Sequence, residues 1–587
     1  MREHDQRRRR VSRIALALAA VLLVAACAAR PPAVSYSLIL RGGTIYDGSG
    51  DEPFVGDVAI EGDRIVAVAP HIAGQAVREI DVRGKAVAPG FINMLAHPQV
   101  SLLIDGRAQS DLRQGVTLEV MGEFSMGPLT PRMQSQMRSR QGQGPLQFDV
   151  DWTSLDQYLT QLESRGVSVN IASFVGANTI RNYVLGEDNV QPTPGQLLEM
   201  RALVREAMEE GALGVTTALI YAPDTYATTH ELTELASESA VCGGMYISHI
   251  RSEGARIVEA VQETIDIARS SGAPAEIYHL KVAGRDNWGK LDEVIAMIEA
   301  ARSSGVRITA DMYAYTAGAT GLDASMPRWV QEGGREAWID RLKDPATRAR
   351  VIADMRDPNP SWENLMGMAG PENVMLGAFM KPELRPLIGM TLAQVAQSRG
   401  VSPEDAAIDL VIEDGSRVGV VYFLMSEDNV RRLMQLPWVS FGSDQDAPSI
   451  EGVFLQAGNH PRAFGNFARV LGHYVRDERL ITLQEAVRRL TSFPAETLSL
   501  RDRGRLRAGY LADIVVFDPA TVQDHATYTT PLQYATGVDH VIVNGELALE
   551  NGEPTEARPG RVVRGRAWTG YSGGGCRASS QDWTWTR

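Results

Sequence analysis

The sequence predicts an α/β protein in which a closed (β/α)8 barrel of the TIM type carries a small β-sandwich domain built from the N- and C-terminal segments. Short alternating strands occur near both ends of the chain, and apolar strands alternate with amphipathic helices between them. The strand-helix units recur at about 30 residues, which is the size of one βα step. With 587 residues, of which 44% are hydrophobic, the chain can bury a large core.

The charge pattern excludes one class of function. The net charge is −14, and the few basic clusters are not interleaved with aromatic residues along one face. The charge distribution therefore argues against a nucleic-acid-binding surface. We expect a small molecule as the main partner.

Residues 1–27 have the pattern of an export signal. Arg7 to Arg10 and Arg13 precede an apolar run of thirteen residues, 14–26, which is shorter than the roughly 20 residues of a membrane-spanning helix. The run ends in Ala-Ala-Cys27, which resembles the bacterial lipobox. We therefore expect lipidation at Cys27 and a lipid anchor on the periplasmic side of the cell envelope, most simply in the outer membrane because Ala28 and Ala29 follow. The alternative is cleavage to a soluble periplasmic protein.

The two parts of the predicted β-sandwich lie far apart in the sequence. Residues 34–88 contain alternating strands at 38–40, 57–61 and 64–68, and residues 501–569 contain similar strands at 513–517 and 541–544. The last residues, 570–587, are rich in Gly, Ser and Trp, and we expect this tail to be disordered. We expect no disulfide framework, because Cys242 lies in an apolar segment and Cys576 in this tail.

The barrel is predicted over residues 89–500. Its clearest stretch is 196–311, where four amphipathic helices each stop at or near a glycine and lead into an apolar strand. A mainly helical insertion is expected at about 326–400, and 418–425 is a further candidate strand outside the eight. The eight predicted barrel strands are 86–93, 117–122, 167–175, 214–218, 245–249, 276–281, 306–311 and 438–444.

Polar residues that close apolar strands are the candidates for chemistry, because active sites of such barrels form at the carboxyl ends of the strands. His249 and His279 end consecutive strands, so they are expected to point into the same cavity. Two such histidines favour a divalent metal site over hydrogen-bonded core residues. The complete set of polar strand ends is Glu123, His249, His279, Lys281, Asp311 and Asp444.

Eight short motifs together resemble the N-acyl-D-amino-acid deacylase (D-aminoacylase) branch of the amidohydrolase superfamily. The similarity covers about residues 34–564, and each motif alone is weak, whereas their order along the chain is specific. The motifs are 87–93 (VAPGFIN), 115–117 (GVT), 248–253 (SHIRSE), 279–281 (HLK), 442–444 (GSD), 460–462 (HPR), 469–474 (RVLGHY) and 512–519 (ADIVVFDP).

The resemblance implies roles for individual residues. His249 and His279 resemble the histidines that hold the tightly bound zinc, and Asp444 resembles the aspartate that serves as general base and acid. Residues at the positions of the family's binders of the substrate α-carboxylate are Lys281, Tyr313 and Arg462. Each of these three has a structural alternative: a surface lysine, a cavity wall and an ion-pair member.

Two departures from the family pattern bear on the metal site. The superfamily usually ends its first strand with His-x-His, but here Leu95 replaces the first histidine, so a full two-metal site and a ligand role for His97 are not expected. The family's third zinc ligand is a cysteine, and Glu123 is the nearest coordinating residue here. We therefore expect one Zn²⁺ per chain, held by Glu123, His249 and His279.

The predicted function is zinc-dependent hydrolysis of N-acyl-D-amino acids, which releases a free D-amino acid and a carboxylate. Another amidohydrolase reaction, on a dipeptide with a C-terminal D-residue or on a cyclic amide, is the nearer alternative. A non-catalytic lipoprotein that binds such ligands is the more distant one, and Asp444 argues against it because a binding protein does not need that acid.

Overall fold

The computed structural model describes residues 35–142, 144–456 and 458–576. The predicted signal peptide with Cys27 and the tail residues 577–587 lie outside this part of the chain. Within it, no helix is both long and apolar enough to cross a membrane.

Strands and helices alternate through the middle of the described chain. The strands are β1 Ser35–Ile45, β2 Phe54–Glu61, β3 Arg64–Ala69, β4 Gln75–Asp81, β5 Ala86–Pro89, β6 Phe91–Ala96, β7 Val116–Met121, β8 Asn170–Ser173, β9 Val175–Gly176, β10 Gly214–Ala218, β11 Met245–His249, β12 Ala275–Ile277, β13 Ile308–Met312, β14 Ala317–Gly321, β15 Val374–Ala378, β16 Gly419–Phe423, β17 Val439–Phe441, β18 Ile514–Phe517, β19 Val538–Val543, β20 Glu546–Glu550 and β21 Glu553–Pro554. The α-helices are α1 Ser101–Ile104, α2 Gln109–Leu112, α3 Pro131–Gln141, α4 Leu155–Arg165, α5 Ala177–Leu185, α6 Pro194–Glu209, α7 Thr229–Val241, α8 Ile257–Ser271, α9 Leu291–Ser303, α10 Gly334–Leu342, α11 Pro345–Met355, α12 Leu365–Ala369, α13 Leu392–Arg399, α14 Pro403–Asp414, α15 Glu427–Met434, α16 Arg462–Arg469, α17 Leu483–Leu490 and α18 Ser492–Thr497.

The small domain joins both ends of the chain in one nine-stranded sheet. Its central contact is antiparallel pairing of β18 with β5, and β5 also pairs with the long strand β1. Side chains from both ends share one core, in which Leu40 and Ile60 pack with Ile514 and Ile542. The predicted union of the two terminal segments is thus confirmed.

Eight parallel strands form the barrel: β6, β7, β8 with its continuation β9, β10, β11, β12, β13 and β17. The first and last strands meet where the Asp444 backbone N–H donates to the Leu95 carbonyl at 2.9 Å. The predicted first strand, 86–93, is divided at Gly90, so that its first half pairs in the small domain and its second half opens the barrel. A side chain at Gly90 would collide with Thr117, which explains the glycine at this junction.

The insertion between β13 and β17 differs from its prediction. It contains a three-stranded antiparallel sheet, with β16 between β14 and β15, in addition to helices. The candidate strand at 418–425 therefore belongs to this sheet and not to the barrel. The insertion has its own hydrophobic core, which includes Leu322, Val374 and Tyr422.

The expectation that the chain has no disulfide is wrong, because Cys242 and Cys576 are bonded. Cys242 follows α7, and the chain after Gly565 runs back along the end of α6, where Thr569 N–H donates to the Glu209 carbonyl. The sequence gives no local signal for this contact, since the two cysteines are 334 residues apart. Residues up to 576 in the predicted disordered tail are accordingly tied to the barrel.

Candidate active site

The carboxyl ends of the barrel strands surround one cavity of about 630 Å³. Glu123 follows β7, His249 ends β11, His279 follows β12 and Asp444 follows β17. Residues of the insertion and of α3 and α5 form the outer wall of the cavity. The strand-end residues that the sequence singled out are therefore brought together, with the exception of Asp311.

Glu123, His249 and His279 form a compact group, here called the inner trio. Glu123 Oε1 lies 2.8 Å from His249 Nδ1 and 3.0 Å from His279 Nε2. One donor atom from each residue lies within 4.8 Å of the other two, and both histidines are buried. Two imidazoles and one carboxylate are a ligand set typical of catalytic zinc.

One further observation fits the inner trio to a metal ion. His279 Nδ1 lies 3.0 Å from Glu253 Oε1, and a carboxylate on the far nitrogen is the usual support for a metal-ligating histidine. The residues present therefore fit zinc.

His97, Glu123 and Asp444 form a second group, the outer trio, which shares Glu123 with the first. His97 Nε2 lies 3.0 Å from Asp444 Oδ1 and 3.5 Å from Glu123 Oε2. This trio has one histidine only. The sequence analysis expects no ligand role for His97, because Leu95 replaces the other histidine of the family's pair. The signal that favours His97 as a site residue is its position directly after the first barrel strand.

The backbone is unusual at three of these residues. Glu123, His279 and Asp444 have φ angles of +62°, +37° and +50°. Residues with a side chain seldom adopt this left-handed conformation, and such strain concentrates at functional sites where the surrounding structure enforces it. Here it turns each side chain into the cavity at the point where its strand ends.

The two acids of the site are held ionised. Burial raises the pKa of Glu123, but hydrogen bonds from His249 and His279 outweigh it and place the pKa well below the usual value. Burial likewise raises the pKa of Asp444, but the Arg462 guanidinium and His279 outweigh it and lower the pKa to about 2. Both side chains therefore carry negative charge at neutral pH.

The three predicted carboxylate binders lie side by side next to Asp444. Tyr313 lies between two cations, with Lys281 Nζ 5.4 Å and the Arg462 guanidinium 4.3 Å from its ring centre. Arg462 Nη2 pairs with Asp444 Oδ2 at 2.9 Å, while its buried Nε and Nη1 atoms have no hydrogen-bond partner in the described structure. These two donors point to different sides of the guanidinium, so either one can donate a charge-assisted hydrogen bond to a carboxylate.

Glu253 is a buried acid at the end of the motif 248–253, and the sequence analysis assigns it no role. Its Oε1 accepts a hydrogen bond from Lys281 Nζ at 2.6 Å and lies beside His279. It thereby fixes both a predicted ligand and a predicted carboxylate binder. Asp311 instead lies beneath the site, where its Oδ1 accepts the His279 backbone N–H at 2.9 Å.

Comparisons with known proteins agree with this geometry. The amidohydrolase family profile matches residues 78–548. A D-aminoacylase from Alcaligenes xylosoxydans xylosoxydans is 34% identical over 533 residues, which is 90% of this chain and 97% of the relative.

Two solved structures are also similar. An N-acyl-D-glutamate deacylase from Bordetella bronchiseptica, complexed with zinc and a phosphonate mimic of the tetrahedral intermediate, has a TM-score of 0.76 at 29% identity and covers 90% of this chain and 100% of its own. A D-aminoacylase structure described by one-metal activation and second-metal attenuation of a binuclear centre has a TM-score of 0.73 at 32% identity, with the same coverage of both chains.

Proposed function

Since this chain belongs to the amidohydrolase family, we propose that it hydrolyses the amide bond of N-acyl-D-amino acids and releases the free D-amino acid and a carboxylate. The observation that carries this proposal is the position of the inner trio beside the group of Lys281, Tyr313 and Arg462. Lys281 and Tyr313 line the same cavity as the inner trio, and Arg462, the third member of this clamp, adjoins its wall through Asp444 and the Tyr313 ring. A metal site beside these cations matches a substrate that has an amide carbonyl next to a free α-carboxylate.

One zinc ion per chain, held by Glu123, His249 and His279, is the proposed cofactor. Zinc bound there supplies Lewis acidity, which activates water and polarises a carbonyl. Glu253 orients the His279 ring, and the left-handed backbone at Glu123 and His279 directs both side chains into the cavity. Glu123 takes the place of the cysteine ligand expected from the family pattern.

Asp444 is the proposed proton carrier. Its Oδ1 and Oδ2 face His97 and Arg462, and as an ionised carboxylate it can accept a proton from the attacking water and donate it to the leaving amine. Positive charge around it keeps it ionised until that transfer.

The clamp orients the substrate. In this proposal Arg462 offers one unsatisfied donor, Lys281 adds a compact positive charge and Tyr313 adds a hydroxyl donor to the same carboxylate. Holding the α-carboxylate fixes which bond faces the metal site.

The test is free-amine release by the chain from Ala28 onward, supplied with zinc, on matched pools of N-acetyl-D- and N-acetyl-L-amino acids. Release from the D pool alone is expected, and Asp444→Asn is the matched inactive control. No release from either pool by the folded, zinc-loaded chain would overturn the deacylase and favour dipeptide or cyclic-amide substrates.

We also propose that the mature protein is exported and lipid-anchored at Cys27. The basic and apolar pattern before Cys27 supports export, as does the Cys242–Cys576 disulfide, because disulfides persist in oxidising compartments. Metabolic labelling with a fatty-acid analogue should mark the wild type but not Cys27→Ser. An unlabelled, soluble wild type would favour the periplasmic alternative.

A further inference from the structure

The insertion between β13 and β17 supplies no residue to the proposed reaction, but it is bonded to two loops beside the metal site. In the loop after β12, the Gly284 N–H donates to the Leu424 carbonyl of the insertion at 3.0 Å. In the loop after β11, Arg256 Nη2 donates to the Ser361 carbonyl of the insertion at 2.5 Å. Because these loops continue from the strands that carry the two proposed histidine ligands, the insertion can act on the metal site.

Glu253, in the loop after β11, lies beside both of these histidines. Its Oε1 is 3.0 Å from His279 Nδ1 and accepts a hydrogen bond from Lys281 Nζ at 2.6 Å. Its Oε2 is 3.8 Å from His249 Nε2. The position of one buried carboxylate therefore affects two proposed metal ligands and one member of the clamp.

The backbone of Glu253 is held from two sides. Its carbonyl accepts the Ala283 N–H at 2.7 Å, which joins the two loops to each other. Its N–H donates to the carboxylate of Glu363, at 2.8 Å from Oε2 and 3.1 Å from Oε1. Glu363 is buried and lies in the insertion between α11 and α12. A side chain of the insertion thus holds the main chain of the residue that supports His279 and Lys281.

The residue after Glu253 also packs against the insertion. A Cβ atom at Gly254 would lie only 2.4 Å from Met368 Sδ, so the contact leaves no room for a side chain. Met368 belongs to α12, the helix that follows Glu363 in the sequence. The insertion therefore holds this loop at two adjacent residues, by a hydrogen bond at Glu253 and by close packing at Gly254.

The surroundings of Glu363 favour its hydrogen bonds over its charge. Burial and the nearby Glu253 raise the pKa of Glu363, whereas hydrogen bonds from the Ser252 hydroxyl and the Glu253 N–H act in the opposite direction. A glutamine side chain has the same shape and keeps an oxygen acceptor for the Glu253 N–H. Replacement of the carboxylate by an amide therefore separates the hydrogen bond from the charge.

We propose that Glu363 is a positioning residue for the metal site and the clamp, and that it acts through Glu253. This inference rests on the proposed function and deepens it, because it gives the insertion a part in building the same site. Glu363 holds the backbone of Glu253, and the Glu253 carboxylate orients the His279 ring and the Lys281 ammonium group. Glu363 itself does not line the cavity.

The test measures metal binding in the absence of substrate. Glu363→Met removes the acceptor at similar side-chain length and should raise the zinc Kd, measured by competition with a chelator, by about tenfold, the lower end of the range for residues that support metal-ligating histidines. With cobalt in place of zinc, the visible absorption bands, which report ligand geometry, should shift. Glu363→Gln should restore the wild-type zinc Kd and cobalt spectrum.

Glu363→Asp is a milder variant that keeps the charge but withdraws the acceptor by one methylene group. It should change the zinc Kd and the cobalt spectrum in the same direction as Glu363→Met, by a smaller amount. A wild-type zinc Kd and cobalt spectrum in both variants would overturn the proposal, and so would a failure of Glu363→Gln to restore them.

Asn364→Ala is the matched control for a general loosening of the insertion. Asn364 Oδ1 caps α12 by accepting the Gly367 N–H at 2.9 Å, and its Nδ2 donates to the Met355 carbonyl at 2.8 Å, so both bonds lie within the insertion. This variant should lower Tm but leave the zinc Kd and the cobalt spectrum unchanged. Equal changes in Asn364→Ala and Glu363→Met would contradict a specific role for Glu363.

Kinetics on the zinc-saturated protein separate this inference from the proposed function. Glu363→Met should raise KM by about tenfold, because Lys281 depends on the same Glu253 carboxylate, and Glu363→Gln should not. A wild type that binds zinc but releases no amine would contradict the deacylase, and the zinc Kd and cobalt spectrum would still decide on Glu363. An active wild type whose zinc Kd and KM are unaffected by Glu363→Met would contradict the positioning role alone.

Discussion

The inner and outer trios share Glu123 but differ in how they are built. The inner trio has two buried histidines at the ends of neighbouring strands, and Glu253 supports one of them from behind. The outer trio has one histidine, and its second acid, Asp444, is already paired with Arg462. The same barrel edge therefore provides one place suited to hold a metal and one suited to move a proton.

This difference shows that a neighbouring cation determines whether a buried carboxylate is suited to bind a metal ion. A carboxylate that faces a guanidinium is stabilised as an anion, but the same guanidinium repels a metal ion placed on the other side. Glu123 is surrounded by imidazoles, which can give up their protons to bind a metal, whereas Arg462 cannot lose its charge. The trios should therefore respond differently to substitution.

The largest expected effect is in the inner trio. His279→Ala removes one of the three proposed ligands and should abolish zinc binding and lower kcat/KM by at least about 10³-fold, because the Lewis acid is lost. Zinc per chain, measured by atomic emission, and amine release on the same preparation check this. Zinc retained at the wild-type level would show that the inner trio is not the metal site.

The next effect is in the outer trio. Asp444→Asn should keep zinc and lower kcat by about 10²- to 10⁴-fold, the range of a lost general acid–base group. The two measurements together distinguish a proton carrier from a ligand. Normal turnover by Asp444→Asn would contradict the proposal that Asp444 carries the proton.

A smaller effect is expected where the outer trio meets the clamp. Arg462→Gln removes a proposed substrate contact and should raise KM by about tenfold or more, as for a lost charge-assisted contact. It also removes the guanidinium that lowers the pKa of Asp444, so that pKa rises. Because Asp444 must be ionised to accept a proton, the acid limb of the kcat/KM profile should move to higher pH, and an unchanged limb would contradict this coupling.

The smallest effect is expected at His97. His97→Asn should retain one zinc and change kcat/KM by less than about tenfold, below the range typical of a proton-transferring group. Zinc content and kinetics compared with His279→Ala make this a matched pair of histidine substitutions. Loss of zinc from His97→Asn would contradict the assignment of metal binding to the inner trio alone.

The fold was predictable because its signals repeat. Helices that end at glycine before apolar strands predict the parallel barrel. Short strands with alternating apolar and polar residues near both ends of the chain predict the small domain. The division of the first predicted strand at Gly90 was not predictable, because β5 and β6 form one apolar run whose halves pair with different partners. The sheet in the insertion was missed because its strands β14, β15 and β16 are separated by helices.

The site was predictable where side chains end strands in sequence order. His249, His279 and Asp444 follow that rule, and the cavity brings them together. The contacts of Glu253 and the Cys242–Cys576 disulfide join segments that are distant in the sequence, which periodicity and motifs do not report. The position of His97 beside Asp444 likewise follows from barrel closure, which joins β17 to β6.

The most direct test of the account is a zinc titration of the metal-free protein, with bound zinc and amine release measured at each addition. The account predicts that activity is complete at one zinc per chain and that a second equivalent adds none. Activity that continues to rise to two equivalents would contradict it, because the outer trio would then hold a metal that the reaction needs.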